Sequence, residues 1–510
     1  MPTAESVPAN RLLIATAVML TTLLVIIDLT IINVSLPHMM GAMQARPDQI
    51  TWVLTSYIAA SAIVIPLTGF LTANFGRRRV IIISIAGFVI TSALSGMATS
   101  LSEIVLFRTL QGIFGAPLMP LSQSVMVDTF PGRERGKAMA IWGMGLMLGP
   151  ALGPTLGGLI TEHLTWRWVF YINVPVGTLG LIMILRLLRE TELRPARPDL
   201  LGALAMAIGI GSLQVVLDQG NDNDWFQSHA ITLLTVAAVL GLTLFIWRSF
   251  TRNDSIVDLR LLGDRNLAIS CLMILAFGLG LFGTIVLQPM LLERLLDYPA
   301  QTTGLVMAPR AAGSAFSMIM VSRLIVRFDP RKLIAIGLAL AATGTWLMSR
   351  YTLEISPAWI IWPGVVQGLG MGLIFVPLAT VAYETIPHHQ TDAASGLFNL
   401  ARTIGSSIGI SIAVTLLTRA GQAEWNRLGG MITPYNPNLS SWLHAYGPNL
   451  QQQPAMQALG LELSRQSTMV AFVDVFWLVS FSFSLLLPLV FLMRRPDFET
   501  ENKKSEPPSD

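Results

Sequence analysis

The sequence predicts an all-α membrane protein: 14 transmembrane helices arranged as two six-helix halves, with two extra helices inserted between them. Three observations predict it. Charged residues are 12% of 510 against 53% apolar, with a mean hydropathy of +0.61, whereas a soluble domain carries roughly 25% charge. Apolar runs of about 20 residues, the length a helix needs to cross a bilayer core, recur along the whole chain. Glycine-bearing patterns recur at a fixed offset of 256 residues.

Apolar runs of this length must be helical, because lipid offers the backbone no other hydrogen-bond partner. In order they are 12–36, 50–72, 79–98, 104–127, 137–160, 168–188, 200–217, 230–249, 267–290, 303–325, 333–349, 357–381, 393–418 and 468–493. The first contains Asp28 and leads into Pro37-His38 rather than a small-residue cleavage site, so it is read as a span and not a removed leader. Basic residues orient the chain. With the N-terminus in the cytoplasm, 23 Lys and Arg fall in inside segments, seven in outside segments, and Arg108, Arg310 and Arg402 within spans. Both termini are then cytoplasmic. One inside loop, 382–392, breaks the pattern: it carries Glu384, His388, His389 and Asp392 but no Lys or Arg.

The offset organises the runs. Gln111-Gly112 in span four recurs as Gln367-Gly368 in span twelve, and Gly149 and Gly153 in span five recur as Gly405 and Gly409 in span thirteen. Spans one to six therefore repeat as nine to fourteen. The expected organisation is a first half over 1–190, two inserted helices over 191–260, a second half over 261–495 with a long outside loop at 419–467, and a tail at 496–510. Parallel six-helix halves around a midplane cavity are the architecture of many secondary transporters. The duplication spares the buried charges: Asp28 maps onto Thr284 and Arg108 onto Gly364. Glycines that pack helices are repeated, whereas these charges belong to one half.

Composition excludes several function classes. A net charge of +3 is too balanced for nucleic-acid binding. The single cysteine, Cys271, excludes an internal disulfide, and the six histidines all lie between the apolar runs, which argues against a buried His-ligated metal. Gly132-Arg133-Glu134-Arg135-Gly136-Lys137 has the wrong spacing for a phosphate loop, with no Ser or Thr after Lys137 and no strand before it. No nucleophile is paired with a base, so no enzyme is expected and no cofactor.

Asp28 lies about eight residues, or roughly 12 Å, from the outer end of span one. An ionisable group at such depth is a functional candidate; the alternative is a structural Asp bonded to its neighbours. Thr21, Asp28 and Ser35 are spaced by seven and form one polar stripe. Arg108 enters span four from the same side, on a stripe with Gln111, Gly115 and Ser122. It could hold the Asp28 charge in place, or snorkel to the headgroups. Arg310 and Arg402 are deeper, and either could bind an anionic group. Span five reads Gly145-x-x-x-Gly149-Pro150-x-x-Gly153-Pro154-x-x-Gly157-Gly158. Small residues every four positions clear a face for close helix contact, and Pro150 and Pro154 permit a kink.

These residues resemble the major facilitator superfamily, in particular its fourteen-span drug:proton antiporter branch. Asp28-Leu29-Thr30-Ile31-Ile32-Asn33-Val34-Ser35-Leu36-Pro37 is similar to that branch's first-span motif. Gly69-x-Leu71 with Gly76-Arg77-Arg78 resembles the superfamily's loop between spans two and three, Arg108-x-x-Gln111-Gly112 its proton-linked span-four motif, and span five its antiporter motif. Trp166-Arg167-Trp168-x-Phe170-x-x-Asn173-x-Pro175-x-Gly177 matches the branch as well. Where the superfamily loop has Asp this chain has Ala73, which puts a carboxylate latch there in doubt.

The resemblance implies a proton-coupled multidrug efflux antiporter of the bacterial inner membrane, working by alternating access on hydrophobic or amphipathic compounds. Asp28 and Arg108 would couple protons. Asn33, Tyr57, Gln111 and Gln123 would line the substrate cavity, with Tyr57 open to stacking by aromatic compounds. Gly69, Gly76, Arg77 and Arg78 would form a gating loop. The implied partners are membrane lipid, a periplasmic membrane-fusion adaptor docking on 419–467, and an outer-membrane channel of the TolC type. A dedicated exporter of one endogenous compound, such as a siderophore, fatty acid or metabolite, is the other reading on the same fold.

Overall fold

The computed structural model describes residues 11–130, 134–193, 199–252, 255–325, 327–433, 439 and 453–493. Helix is the only regular secondary structure among them. Thirteen helical segments are long and apolar enough to cross a membrane. The remaining run, 137–160, lies inside the helix Arg135–His163.

Spans one to six are Arg11–Ala42, Trp52–Phe75, Arg77–Met97, Leu101–Thr129, Arg135–His163 and Trp168–Leu187. Spans seven and eight are Leu200–Gln219 and His229–Thr251. Spans nine to thirteen are Arg265–Leu295, Ala300–Leu324, Pro330–Met348, Pro357–Ala382 and Thr391–Gly430. Span fourteen is Gln453–Leu485, continued by Leu487–Val490. Proline explains two of the breaks, since it removes a helical hydrogen bond. Span two tightens into a 3-10 turn at Ile65–Leu67 around Pro66, and span four is interrupted at Ala116-Pro117 between Leu101–Gly115 and Leu118–Thr129. Short acidic side chains start three helices by accepting from the first-turn amides: Asp199 from Gly202, Asp264 from Leu267 and Asp329 from Arg331.

The packing repeats as the sequence does. Span one lies on span five as nine lies on thirteen, two on four as ten on twelve, and three on six as eleven on fourteen. Spans seven and eight pair with each other, and seven leans on span two. Span eight turns Leu233, Leu240 and Trp247 outward, as suits a helix against lipid. The halves meet where span five touches spans ten and twelve and where span thirteen touches spans two and four.

One expectation needs correction. Residues 419–467 are not mainly loop: span thirteen continues as helix to Gly430, and span fourteen begins at Gln453. Hydropathy ends at residue 418, but no proline follows before Pro434, and Glu424 and Arg427 form an i,i+3 ion pair at 2.6 Å that supports the polar extension. Span thirteen, at 40 residues, is about 60 Å long, against a hydrocarbon core of about 30 Å. Tyr435, Trp442 and Tyr446 lie outside the described residues.

Candidate functional site

The two polar stripes face each other. Asp28 Oδ2 accepts from Arg108 Nη1 at 2.7 Å, and both side chains are fully buried. Asp28 Oδ1 accepts from Gln111 Nε2 at 3.0 Å and from Asn173 Nδ2, on span six, at 2.7 Å. Arg108 also donates to Gln111 Oε1 at 2.7 Å and to the Val53 carbonyl at 3.1 Å, and its guanidinium lies 4.2 Å from the centre of the Tyr57 ring. One heptad below Asp28, Thr21 meets Ser122 at 3.0 Å; one heptad above, Ser35 meets Thr161 of span five at 3.1 Å. Gly112 makes this possible. A Cβ there would run into the Tyr57 carbonyl, so the glycine lets spans two and four approach.

Arg108 is thus not a headgroup-snorkelling residue. The arrangement is an ion pair closed off from the protein surface, and removing one charge of such a pair leaves the other uncompensated, at about 3–5 kcal/mol. The arrangement ties spans one, two, four and six to one pair of opposite charges.

Span five is fitted to span one through its glycines. Built Cβ atoms at Gly145, Gly149, Gly153 and Gly157 would meet Met19, Ile26, Thr30 and the Ile31 carbonyl in turn, and Thr30 Oγ1 donates to the Gly149 carbonyl at 3.2 Å. Gly158 faces open space. The helix runs through Pro150 and Pro154, whose side chains, like that of Asn33, lie outside the described residues.

A second cluster closes the basic end between the halves. Arg77 Nη1 pairs with Asp128 Oδ2 at 2.7 Å, and Arg77 Nη2 with Asp392 Oδ1 of span thirteen at 2.9 Å. Ser124 also donates to Asp392, His388 Nδ1 lies 3.1 Å from Asp128 Oδ1, and Asn399 Nδ2 donates to Gln123 Oε1 at 2.7 Å. Gly69 packs on Ala393, where a Cβ would come within 2.7 Å of the Ala393 Cβ. Gly76 turns the chain with φ 87°, a conformation that glycine adopts without strain. Glu190 caps the next helix there, accepting from Arg78 N at 2.9 Å, while Arg78 Nη2 donates to the Leu185 carbonyl at 2.8 Å. A carboxylate that pairs with Arg77 across the two halves is therefore present, on Asp392 of span thirteen rather than at position 73.

Three of the residues expected around a substrate cavity fall into two different clusters. Gln111 and Tyr57 belong to the Asp28 network, Tyr57 being 2% exposed, and Gln123 belongs to the seam between halves. The sequence reading missed Asn173, Asp128, Asp392 and Asn399. The signal for Asp392 was the loop 382–392 without a basic residue; Asn173 lay inside a recognised motif with no role assigned.

Two related six-helix halves, a buried ion pair in one of them and a charged cluster between them are the build of a transporter. The chain belongs to the Major Facilitator Superfamily, whose sequence pattern matches residues 18–410. It is 35% identical over 493 residues to the multidrug export protein EmrB of Escherichia coli K12, covering 96% of both chains. It is also 35% identical over 482 residues to the fatty acid resistance protein FarB of Neisseria gonorrhoeae, covering 92% of this chain and 94% of that one. Among solved structures, the proton:xylose symporter XylE superposes with a TM-score of 0.61 over 95% of this chain and 99% of its own; at 15% identity this likeness concerns the fold.

Proposed function

We propose that the protein is a proton-coupled efflux antiporter for hydrophobic and amphipathic compounds, working in the bacterial inner membrane with both termini cytoplasmic. The observation that carries the reading is the carboxylate of Asp28, wholly buried and held by donors from spans four and six. In this reading a change of charge at Asp28 would act on spans one, four and six together, which is what coupling requires. In this reading the protein exchanges outside and inside access, and the seal at Arg77, Asp128 and Asp392 closes the cytoplasmic side. The proton gradient supplies the energy and no cofactor is needed. The similarity to EmrB supports a broad substrate range; the similarity to FarB favours a narrower, fatty-acid range.

The same reading includes a tripartite assembly. Span thirteen and the start of span fourteen project beyond the membrane and border a groove of about 1080 Å³ lined by Arg294, Trp425, Glu462 and Arg465 among others. A membrane-fusion adaptor leading to an outer-membrane channel of the TolC type would dock on this projecting pair.

Purified protein in liposomes with an imposed pH gradient tests the coupling. Wild type should move substrate against its gradient and acidify the compartment that gives up substrate. Asp28→Asn should still exchange substrate but ignore the pH gradient. Gradient-driven transport at the wild-type rate in Asp28→Asn removes Asp28 from the role.

A further inference from the structure

The second half contains a copy of the Asp28 network with its carboxylate missing. Thr284 stands at the position of Asp28 and Gln367 at that of Gln111, each displaced by 256 residues. Gln367 Nε2 donates to Thr284 Oγ1 at 3.2 Å, as Gln111 donates to Asp28. The cation is present too, but from another helix. Arg108 is replaced by Gly364, and Arg310 of span ten, its Cβ 3.5 Å from where a Gly364 Cβ would stand, takes over. Its Nη2 donates to Thr284 Oγ1 at 3.3 Å and its Nη1 to Gln288 Oε1 at 3.1 Å.

Arg310 is 7% exposed, and only neutral oxygens receive its hydrogen bonds among the described residues. Gln367 Oε1, beside it, has no hydrogen-bond partner among the described residues. Arg402, the other arginine deep in this half, bonds to the neutral Asn399 Oδ1 at 3.1 Å. A buried guanidinium without a counter-ion is costly, and its planar fork fits a carboxylate in particular. In the first half the chain itself supplies that carboxylate, at Asp28. Span ten packs along span five of the first half, so Arg310 sits on a helix that borders the seam between halves.

We propose that Arg310, with Thr284 and Gln288, is a substrate subsite for a carboxylate-bearing amphipath, whose acid group takes the place that Asp28 fills in the first half. The inference rests on the export reading above and names one substrate class for it.

The test uses the full chain in bilayer nanodiscs and three matched probes: dansyl-undecanoate, its methyl ester, and a dansyl-alkyl quaternary ammonium of equal length. Binding is read by energy transfer from the protein's tryptophans, and export by the same probes in proteoliposomes. Wild type should bind the carboxylate in preference to the ester. Arg310→Gln should weaken carboxylate binding about tenfold or more, the loss expected with a charge-assisted hydrogen-bonded pair, and leave the ammonium probe unchanged. Arg310→Lys should restore part of it. Thr284→Asp is the decisive variant: an internal carboxylate would occupy Arg310 and exclude the probe's, while ester and ammonium binding persist. Carboxylate binding at the wild-type level in Thr284→Asp or Arg310→Gln overturns the subsite while leaving the export reading in place. Failure of all three probes to be exported by wild type instead overturns the export reading, and the subsite with it.

Discussion

Replacing Asp392 by asparagine tests the seal at the basic end. The Asp392 side chain is about 11% exposed and that of Arg77 about 10%, so the pair is largely shielded from screening. The shorter-range amide of the variant would keep one acceptor for Arg77 and lose the charge. Arg77 would not be orphaned, because Asp128 remains at 2.7 Å. The cost is therefore below the 3–5 kcal/mol of breaking a buried pair outright and nearer the worth of one charged hydrogen bond, about 2 kcal/mol. Applied wholly to the closed arrangement, that shifts the closed-to-open ratio roughly thirtyfold. Ser395, fully buried one turn along span thirteen, reports the opening once changed to Cys in a Cys271→Ala background. In inside-out vesicles, a membrane-impermeant maleimide should label this position roughly thirtyfold faster when Asp392→Asn is added. Equal labelling rates in a protein that still elutes as a single species would mean that the ion pair does not hold the seal.

Two further outcomes follow from the same geometry. Arg108→Gln should lower stability by about 3–5 kcal/mol, because Asp28 is left as a buried lone charge; the double variant with Asp28→Asn should recover most of this in a thermal unfolding assay without recovering gradient-driven transport, and a double variant no more stable than the singles refutes the pairing as the source of the cost. Gly149→Leu should separate spans one and five, since even a Cβ collides with Ile26, at about 1–3 kcal/mol of overpacking; transport at the wild-type rate would show that this contact is dispensable.

Much of this molecule was legible because lipid enforces simple rules. Every span had to be an apolar run, and Asp28 and Arg108 stood out because charges are rare at such depth. The same reasoning was blind to Asp128 and Asp392, which sit near helix ends where charges are ordinary. It placed the latch carboxylate in the loop after span two and so doubted it at Ala73; the carboxylate came from span thirteen, a relation that only the folded seam reveals. It ended span thirteen where hydropathy ends, although a helix with a Glu424–Arg427 pair continues in water. It also took Gly364 as evidence that the second half lacks the cation. A residue-by-residue offset cannot show that Arg310 reaches the same place from the neighbouring helix.

Span four joins the two charged clusters and also limits how they can communicate. Its first piece carries Arg108 and Gln111; its second carries Ser122, Gln123, Ser124 and Asp128, with the break at Ala116-Pro117 between. A rod broken there does not transmit a tilt rigidly. The second piece is instead tied to span one by the Thr21–Ser122 hydrogen bond, and span one carries Asp28. In the proposed coupling, loss of the Asp28–Arg108 pair would act on span four twice: directly at its first piece, and through span one at the piece that carries Asp128. The glycine face of span five lies along span one over the same stretch, from Gly145 at Met19 to Gly157 at Ile31. In the proposed coupling, close packing there would carry a change at Asp28 one heptad along span one to Thr21 rather than let a loose interface absorb it.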